Sequence, residues 1–284
     1  MKIGFLGLGR MGRELVQHVI AGGNDVTVWN RTKSATEDAA AAGAHVAENP
    51  AAAVAGAEVV VTMFFGPTVT SDVLTGPDAD VTFEPGALWI DVTTVAPADA
   101  SEFAEWAGAR GIRFVSSPVI GSTGPAHEGT LGTLLGGAEA DVAAARPIAE
   151  LWSDPEKIRT FATQSAAATA KLIANLSVAV VAEGIAESLR VGHAGGMSTD
   201  EVLEVLPLTQ FAGQAAMKKP IIAGQDWSKT QFAVDALVKD TGFMTALAGA
   251  GELPAVEAWA ARLADAHDAG LGGADYIAAL RDDV

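Results

Sequence analysis

Residues 2–12, Lys-Ile-Gly-Phe-Leu-Gly-Leu-Gly-Arg-Met-Gly, decide the fold of this 284-residue chain. The apolar run Lys2 to Leu6 predicts a buried strand, and a G-x-G-x-x-G follows it directly at residues 7–12. The stretch Met11 to Ala21 has the period of a helix, so the glycines lie between a strand and a helix, the context in which this motif is specific. We therefore predict a strand–turn–helix unit with the glycine turn as a ligand-binding loop.

Each glycine of this turn has a physical reason to be there. Gly7 permits the tight turn, Gly9 lets a pyrophosphate approach the backbone, and Gly12 lets the helix pack against the strand. The helix N-terminus adds amide groups and a partial positive charge. An ordinary glycine turn is the alternative. The predicted dinucleotide-binding residues are Gly7, Leu8, Gly9, Arg10, Met11 and Gly12.

Strand and helix patterns alternate from the start of the chain to about Phe161. Helical stretches such as Ala98 to Gly111 separate the short apolar runs. This alternation predicts an α/β fold, an N-terminal Rossmann domain with a doubly wound parallel sheet covered on both faces. The predicted strands are Lys2–Leu6, Asp25–Trp29, Glu58–Met63 and Ala87–Val92, with Arg113–Ser116 and Thr130–Gly136 as weaker candidates.

The pattern changes after Phe161, where strand-like runs stop and long Ala-, Leu- and Val-rich helical periods follow. The stretch Ser165 to Ala194 has no internal breaker except Gly184, and a helix of that length is able to join two domains. We expect a Rossmann domain in residues 1–162 and an all-α helical domain in residues 163–284.

Composition narrows the classes of function. The 35 Asp and Glu outnumber the 18 Lys and Arg, and a net charge of -17 repels nucleic acid and anionic membrane surfaces. Cysteine is absent, so a thiolate metal site and a cysteine nucleophile are excluded. The N-terminal apolar run is too short for a signal peptide, and Lys171 and Asn175 interrupt the most apolar later stretch. We expect a cytoplasmic protein with no membrane and no nucleic-acid partner.

The end of the second predicted strand distinguishes the two nicotinamide dinucleotides. An NAD site usually offers Asp or Glu to the ribose hydroxyls there, whereas this chain reads Trp-Asn-Arg-Thr-Lys at residues 29–33. Arg31 is able to stack on adenine or bind a 2′-phosphate, and Asn30, Thr32 and Lys33 add donors. The sequence therefore favours NADP (NADPH), with a basic surface turn as the alternative.

Two further strand ends are expected at the same edge of the sheet, where open α/β sheets bind ligands. Met63, Phe64 and Phe65 offer backbone groups and aromatic faces to a cofactor. The segment Asp91 to Pro97 is able to place a hydroxyl near a nicotinamide. Taken alone, each segment is also typical of a plain loop.

Hydride transfer to a carbonyl needs an acid that protonates the developing alkoxide. Lys171 is the best candidate, because its helical neighbours are small and mostly apolar, and a partly desolvated ammonium is a better proton donor near neutrality. Asn175, one turn on, is placed to orient the substrate hydroxyl or the amine. The alternative is a surface lysine whose stem lies along the protein.

Other reactive residues carry less weight. The five histidines show no paired metal-ligand spacing, so we interpret them as structural and expect no metal site; they are His18, His45, His127, His193 and His267. Tyr276 is a possible proton donor that packing explains equally well. No G-x-S-x-G elbow supports a serine hydrolase.

As a set, these residues resemble the β-hydroxyacid dehydrogenase family along nearly the whole chain. The resemblance lies in Ile3–Gly12, Asp91–Pro97, Ser117–Ser122, Lys171 with Asn175, and Lys239-Asp240. It implies that Lys171 is the general acid in reduction and the general base in oxidation, and that Asn175 supports it. It also implies that Thr94 and Lys239 contact the cofactor, and that a homodimer forms through the helical domain.

One motif departs from the family pattern. Members usually carry Asp-Ala-Pro-Val-Ser-Gly-Gly, in which Ser-Gly-Gly holds the substrate carboxylate, whereas residues 116–122 here read Ser-Ser-Pro-Val-Ile-Gly-Ser. Ile120 removes a hydroxyl. Either Ser122 partly replaces it, or the substrate is bulkier or less acidic. The expected substrate-binding residues are Ile120, Gly121 and Ser122.

The leading hypothesis is an NADPH-dependent oxidoreductase acting on CH-OH groups, which interconverts a small aldehyde or keto acid and the hydroxy compound. An imine reductase-like enzyme on a substrate without a carboxylate is one alternative, although such enzymes generally lack the catalytic lysine. A non-catalytic NADP-binding protein on the same scaffold is the other.

Overall fold

A computed structural model describes residues 1–284 and divides the chain into two compact units, Met1–Lys171 and Leu172–Val284. The division expected after residue 162 falls earlier than this one. The first two turns of the helix that begins at Gln164 belong to the first unit, because Ala168 lies in that unit's apolar core. Ala167 also packs closely on Gly136. A Cβ added to the glycine would lie only 2.6 Å from the Cβ of Ala167.

The first unit contains one nine-stranded sheet. Six strands are parallel and run in the order β3-β2-β1-β4-β5-β6, which is the Rossmann order. The predicted strands are confirmed to within a residue at each end. The strands are β1 (Lys2–Leu6), β2 (Asp25–Trp29), β3 (His45–Val46), β4 (Val59–Thr62), β5 (Leu88–Asp91), β6 (Arg113–Ser116), β7 (Val119–Ile120), β8 (Leu131–Gly136) and β9 (Ser153–Phe161).

The far edge of the sheet is mixed, which the expectation of a parallel sheet missed. Strand β8 runs antiparallel to β6 and β7, and β9 pairs with β8 in parallel. The sequence of β9 contains an exposed run from Pro155 to Lys157 and has no regular alternation, so its pattern does not predict a strand. The other two unpredicted strands, β3 and β7, have only two residues each.

Both faces of the sheet carry an apolar core. Phe5 and Val61 point into one core, while their neighbours Leu6 and Val60 point into the other. Residues buried on both faces explain why these strands read as continuous apolar runs. The helices of this unit are α1 (Gly12–Ala21), α2 (Glu37–Ala41), α3 (Pro50–Val54), α4 (Pro67–Thr70), α5 (Pro97–Gly108), α6 (Thr123–Glu128), α7 (Glu139–Ala149) and the first turns of α8 (Gln164–Ala194).

The second unit is all-helical, as predicted. Its core is built on Ile185 and Leu189 of α8, Trp259, and Ile277 near the C-terminus. By length and composition alone α8 is apolar enough to cross a bilayer, but a core helix passes the same test, and α8 contributes buried residues to this core. The further helices are α9 (Thr199–Val205), α10 (Ala212–Gly224), α11 (Val234–Ala248) and α12 (Pro254–Ala266).

A buried ion pair holds the C-terminal segment of this unit. The ammonium of Lys218 donates to both carboxylate oxygens of Asp275, at 2.8 and 2.9 Å, and both side chains are almost fully buried. Asp275 also accepts hydrogen bonds from the backbone amides of Gln231, Phe232 and Ile277. Burial lowers the pKa of Lys218, and the adjacent carboxylate opposes that shift.

Candidate cofactor and catalytic site

The glycine loop between β1 and α1 has the geometry that its sequence requires. Gly7 has φ +98°, and a Cβ there would collide with the carbonyl oxygen of Met63. A Cβ on Gly12 would collide with the carbonyl of Gly7, so the helix start lies directly on the turn. A Cβ on Gly9 would instead meet nothing within 4 Å. The loop is therefore closed toward the protein and open at Gly9, which fits a pyrophosphate.

Asn30, which is predicted to add a donor to the cofactor site, also has two hydrogen bonds within the protein. Its Oδ1 accepts a hydrogen bond from the backbone amide of Leu8 at 2.9 Å. Its Nδ2 donates to the carbonyl of Thr32, also at 2.9 Å. The amide thus joins the glycine loop to the loop after β2. Asn30 is a positioning residue for the cofactor loop, and no pattern in the sequence reveals this because the partners are set by the fold.

The loop after β2 carries two cationic side chains. Arg31, Thr32 and Lys33 are all exposed, and neither cation forms a salt bridge with a carboxylate. The loop itself contains no Asp or Glu from residue 29 to residue 33. The guanidinium of Arg31 and the ammonium of Lys33 are therefore accessible to an anionic group of a bound ligand.

The ends of β1, β4 and β5 lie in one row, because Leu6 pairs with Thr62 and Thr62 pairs with Asp91. The loops that follow these strands therefore meet at the same edge of the sheet. Phe64 and Met63 are half-buried there, Thr94 is half-buried, and Phe65 is 55% exposed. The structure brings these predicted cofactor residues to one edge.

A buried hydrogen-bond network fixes this edge, and sequence reasoning did not find it. Thr62 donates from Oγ1 to Asp91 Oδ1 at 2.7 Å, and the indole of Trp89 donates to Thr62. The backbone amide of Thr93 also donates to Asp91, at 3.2 Å. Thr93 in turn accepts from the amide of Phe64 at 3.0 Å. Asp91 and Thr93 therefore position the two loops that flank the predicted nicotinamide site.

Burial raises the pKa of Asp91 from its usual 3.8 to about 6, against the opposing hydrogen bonds from Thr93 and Thr62. The folded protein thus binds this proton more tightly than the unfolded chain, so stability falls as pH rises from about 4 to about 6. Between pH 4 and pH 7 we expect the wild type to lose about 2 kcal/mol relative to Asp91→Asn. Urea unfolding of both proteins at pH 4 and pH 7 measures this. An unchanged difference between the two pH values would contradict it.

The expected substrate-binding residues lie directly after β6, in the β7 segment. Ile120 is 41% exposed, Gly121 has φ +126°, and Ser122 is half-buried. A Cβ on Gly121 would lie 2.6 Å from the Leu131 side chain, so the chain passes close to β8 here. The exposed aliphatic side chain of Ile120 occupies the position at which the family pattern carries a serine.

Lys171 is buried, with 9% of its surface exposed, at the end of the first unit. This removes the alternative of a surface lysine whose ammonium lies in bulk water. Ala167 and Ala168 on the preceding turn are also buried, so the helix face around Lys171 is small and apolar, as the sequence predicted. A lysine that is buried in such surroundings is a candidate for proton transfer.

Within the second unit, Asp240 joins two predicted site residues. Asn175 donates from Nδ2 to Asp240 Oδ2 at 2.6 Å, and Lys239 donates to Asp240 Oδ1 at 2.6 Å. Asp240 is 2% exposed, and the ammonium of Lys239 also lies 4.8 Å from the ring of Phe243. The carboxylate thereby fixes the Asn175 amide from α11. The sequence pointed to Asp240 only as the neighbour of Lys239, since its contact with Asn175 spans 65 residues.

The remaining candidate donors have structural contacts. Three histidines pair with surface carboxylates: His45 with Asp25, His127 with Glu14, and His267 with Asp235. No group of three His, Cys, Asp or Glu residues is arranged to hold a metal ion. Tyr276 packs against Phe232 and Trp259, and burial raises its pKa well above the usual value. A phenol in that environment is a poor proton donor.

Sequence comparison agrees with the fold and the glycine loop, which together define a Rossmann-type dinucleotide-binding protein with a helical C-terminal unit. The NAD binding domain of 6-phosphogluconate dehydrogenase matches residues 2–186. The NAD-binding region of NADP-dependent 3-hydroxyisobutyrate dehydrogenase matches residues 165–282. The chain belongs to the β-hydroxyacid dehydrogenase family, which supports an NAD(P)-dependent hydroxyacid dehydrogenase activity.

Individual relatives extend along the whole chain. Glyoxylate/succinic semialdehyde reductase 1 of Arabidopsis thaliana is 29% identical over 99% of this chain and 97% of its own. The structure of Mycobacterium tuberculosis 3-hydroxyisobutyrate dehydrogenase with L-serine has a TM-score of 0.83 and 28% identity, over 99% of this chain and 98% of that one. The imine reductase of Myxococcus stipitatus with NADP+ has a TM-score of 0.68 and 21% identity, over 99% of both chains, and shares the fold alone.

Proposed function

We propose that this protein is an NADP(H)-dependent oxidoreductase that reversibly interconverts a small aldehyde or keto acid and the corresponding hydroxy compound. The observation that carries the proposal is the burial of Lys171 on a small, apolar helix face, one turn before Asn175. A lysine on a buried, apolar helix face is a candidate general acid for carbonyl reduction, because partial desolvation favours release of its proton.

In this proposal the chain's own residues bind, orient and transfer the proton. NADPH, when bound, supplies the hydride. The glycine loop holds the pyrophosphate, and the Asp91 network keeps the loops after β4 and β5 in place. Lys171 donates a proton from Nζ to the carbonyl oxygen in reduction and accepts it from the hydroxyl in oxidation. Asn175, whose amide is held by Asp240, orients the substrate hydroxyl or the amine of Lys171.

The exposed cations after β2 support NADP rather than NAD as the cofactor. A charged hydrogen bond to a phosphate is worth about 1.5–3 kcal/mol, so we expect Arg31→Ala to raise the KM for NADPH roughly 10- to 100-fold. The KM for NADH should change less than about threefold, because NADH has no 2′-phosphate to lose. Steady-state kinetics with both cofactors measures this.

The matched control is Arg146→Ala, since Arg146 is a surface arginine that pairs with Glu150 on α7. That variant should keep the wild-type KM for both cofactors. An equal loss for NADPH and NADH in Arg31→Ala would contradict a phosphate contact and favour stacking on the adenine, which both cofactors share.

The substrate class is open to one specific alternative. Ile120 is exposed at the position where the family pattern has a carboxylate-binding serine, and this favours a substrate without a carboxylate, such as an imine. The retained Lys171 favours a carbonyl. Ser122, half-buried two residues on, is a hydroxyl that is able to take over part of the carboxylate binding.

The experiment that decides among these functions is an NADPH-consumption screen over small aldehydes, keto acids and imines, with NADH as the control. Reduction of succinic semialdehyde or a related carbonyl supports the proposal. Consumption with a cyclic imine alone would favour the imine reductase. Tight NADPH binding with no consumption across the panel would favour a non-catalytic NADP-binding protein and overturn the enzyme assignment.

We also propose that the enzyme is a cytoplasmic homodimer that associates through its helical unit. Ile173, Val180 and Val191 are exposed at spacings that place them on one face of α8. A largely apolar groove of about 430 Å³ lies nearby, lined in part by Gly184 and Phe211. Exposed apolar surface of this kind is typical of protein interfaces. Sedimentation of the purified chain as a monomer at micromolar concentration would contradict this part of the proposal.

A further inference from the structure

Helix α6, which follows the substrate loop Ile120–Ser122, is attached to the cofactor helix α1 by two side chains. His18 lies within α1, and its Nε2 is 2.8 Å from the carbonyl oxygen of Ala126. Because a carbonyl only accepts, Nε2 carries the proton and donates. Glu14, one turn earlier on the same face, pairs with His127 Nδ1 at 3.0 Å. Two contacts on adjacent turns thus join the helices.

The His18 ring also fits closely against the end of α6. Gly129 caps that helix with φ +68°, and a Cβ there would lie 3.2 Å from His18 Cε1. The ring is half-buried in this contact. A partner that is both hydrogen-bonded and packed against a helix end restricts sliding as well as separation of the two helices.

The substrate loop is hydrogen-bonded to α6. The amide of Ala126 donates to the carbonyl of Ser122 at 3.0 Å, so the residue that receives the His18 hydrogen bond is itself bonded to the loop. Gly121 has no room for a side chain against Leu131 and Pro125. Two hydrogen bonds therefore connect α1 to the substrate loop, one from His18 to Ala126 and one from Ala126 to Ser122.

We propose that His18, supported by Glu14, is a positioning residue that sets the distance between the cofactor loop Gly7–Gly12 and the substrate loop Ile120–Ser122. The inference rests on the proposed function and goes beyond it. Helix α1 begins at the last glycine of the cofactor loop, so any shift of α6 relative to α1 changes where a substrate sits over the nicotinamide. A misplacement of about 1 Å is able to cost roughly 10²-fold in rate.

The test is the kinetics of His18→Ala, His18→Gln and His45→Ala with NADPH and the best carbonyl substrate. We expect His18→Ala to lower kcat/KM for the carbonyl roughly 10- to 100-fold. The Kd for NADPH, from nicotinamide fluorescence, should stay within about twofold, because the glycine loop itself is untouched. His18→Gln restores most of the loss, since its amide N–H also donates to Ala126. His45→Ala, which removes a surface histidine on β3, stays at wild type.

A second measurement does not depend on turnover. In hydrogen exchange of the purified protein, the hydrogen-bonded amides of residues 126–129 should exchange at least about tenfold faster in His18→Ala and recover in His18→Gln, as local opening predicts. If the wild type reduces no carbonyl, the proposed function fails and this exchange result alone decides the inference. If His18→Ala does not fold, Glu14→Gln provides the same comparison with a smaller expected effect.

Two results would overturn the inference. One is a wild-type kcat/KM and wild-type exchange in His18→Ala. The other is a loss that appears equally in the Kd for NADPH and is not rescued by glutamine, since that pattern indicates general damage to the unit.

Discussion

Replacement of Lys171 by alanine should lower kcat for carbonyl reduction by about 10²- to 10⁴-fold, the usual contribution of a general acid. The Kd for NADPH should change little, because Lys171 lies outside the glycine loop. Lys171→Met separates the loss of the proton from the loss of packing, since its unbranched apolar side chain fills much of the same volume at a buried position. Both variants should lose activity to a similar extent.

The matched control for Lys171 is Lys157→Ala. Lys157 is an exposed lysine on β9 that pairs with Asp154, so its removal should leave kcat within about twofold. A loss of less than tenfold in Lys171→Ala would show that another group, or water, protonates the substrate. The imine reductase alternative would then gain support.

Removal of Asp275 should destabilise the helical unit by about 3–5 kcal/mol, because Asp275→Ala leaves the charge of Lys218 buried and unpaired. The backbone amides of Gln231 and Ile277 lose their acceptor in the same step. Denaturant unfolding measures the free energy. The double variant Lys218→Met with Asp275→Asn removes both charges and keeps one oxygen acceptor, enough for the amides of Gln231 and Phe232 but not for that of Ile277, so it should recover part of the loss.

Asp226→Ala is the control for this ion pair. Asp226 lies in the same unit and pairs with Lys229 at 3.3 Å, but both side chains are well exposed to solvent. Exposed ion pairs contribute roughly 0–1 kcal/mol, so the variant should unfold close to wild type. Equal losses in Asp226→Ala and Asp275→Ala would contradict the role given to burial.

The features that the sequence predicted well are those carried by local pattern. Residues 2–12 combine an apolar strand, a glycine turn and a helix start, and each of these constrains only its own backbone. The long helical period after Gln164 is local in the same sense. The boundary between the two units was harder to predict. It depends on which core Ala167 and Ala168 pack in, and alanine is found in both cores.

The features that the sequence did not predict depend on partners far along the chain. His18 reads as an ordinary helical histidine until Ala126, 108 residues away, is seen to accept its hydrogen bond. Asn30 was expected to add a donor to the cofactor site, and the sequence did not reveal the hydrogen bonds that its amide forms with Leu8 and Thr32. Asp91 was part of a recognised segment, but its burial and its bond from Thr62 follow from strand register. Such roles need the tertiary fold because no local period encodes them.

The central claim is that one amine, that of Lys171, transfers the proton in both directions. The most direct test is the pH dependence of kcat/KM, measured for reduction and for oxidation on the wild type and on Lys171→Ala. If Lys171 is this acid and base, kcat/KM for reduction falls at high pH and kcat/KM for oxidation falls at low pH, and both changes follow the same pKa. Neither change should remain in Lys171→Ala. The same pH dependence in Lys171→Ala as in the wild type would contradict the role of Lys171 in proton transfer.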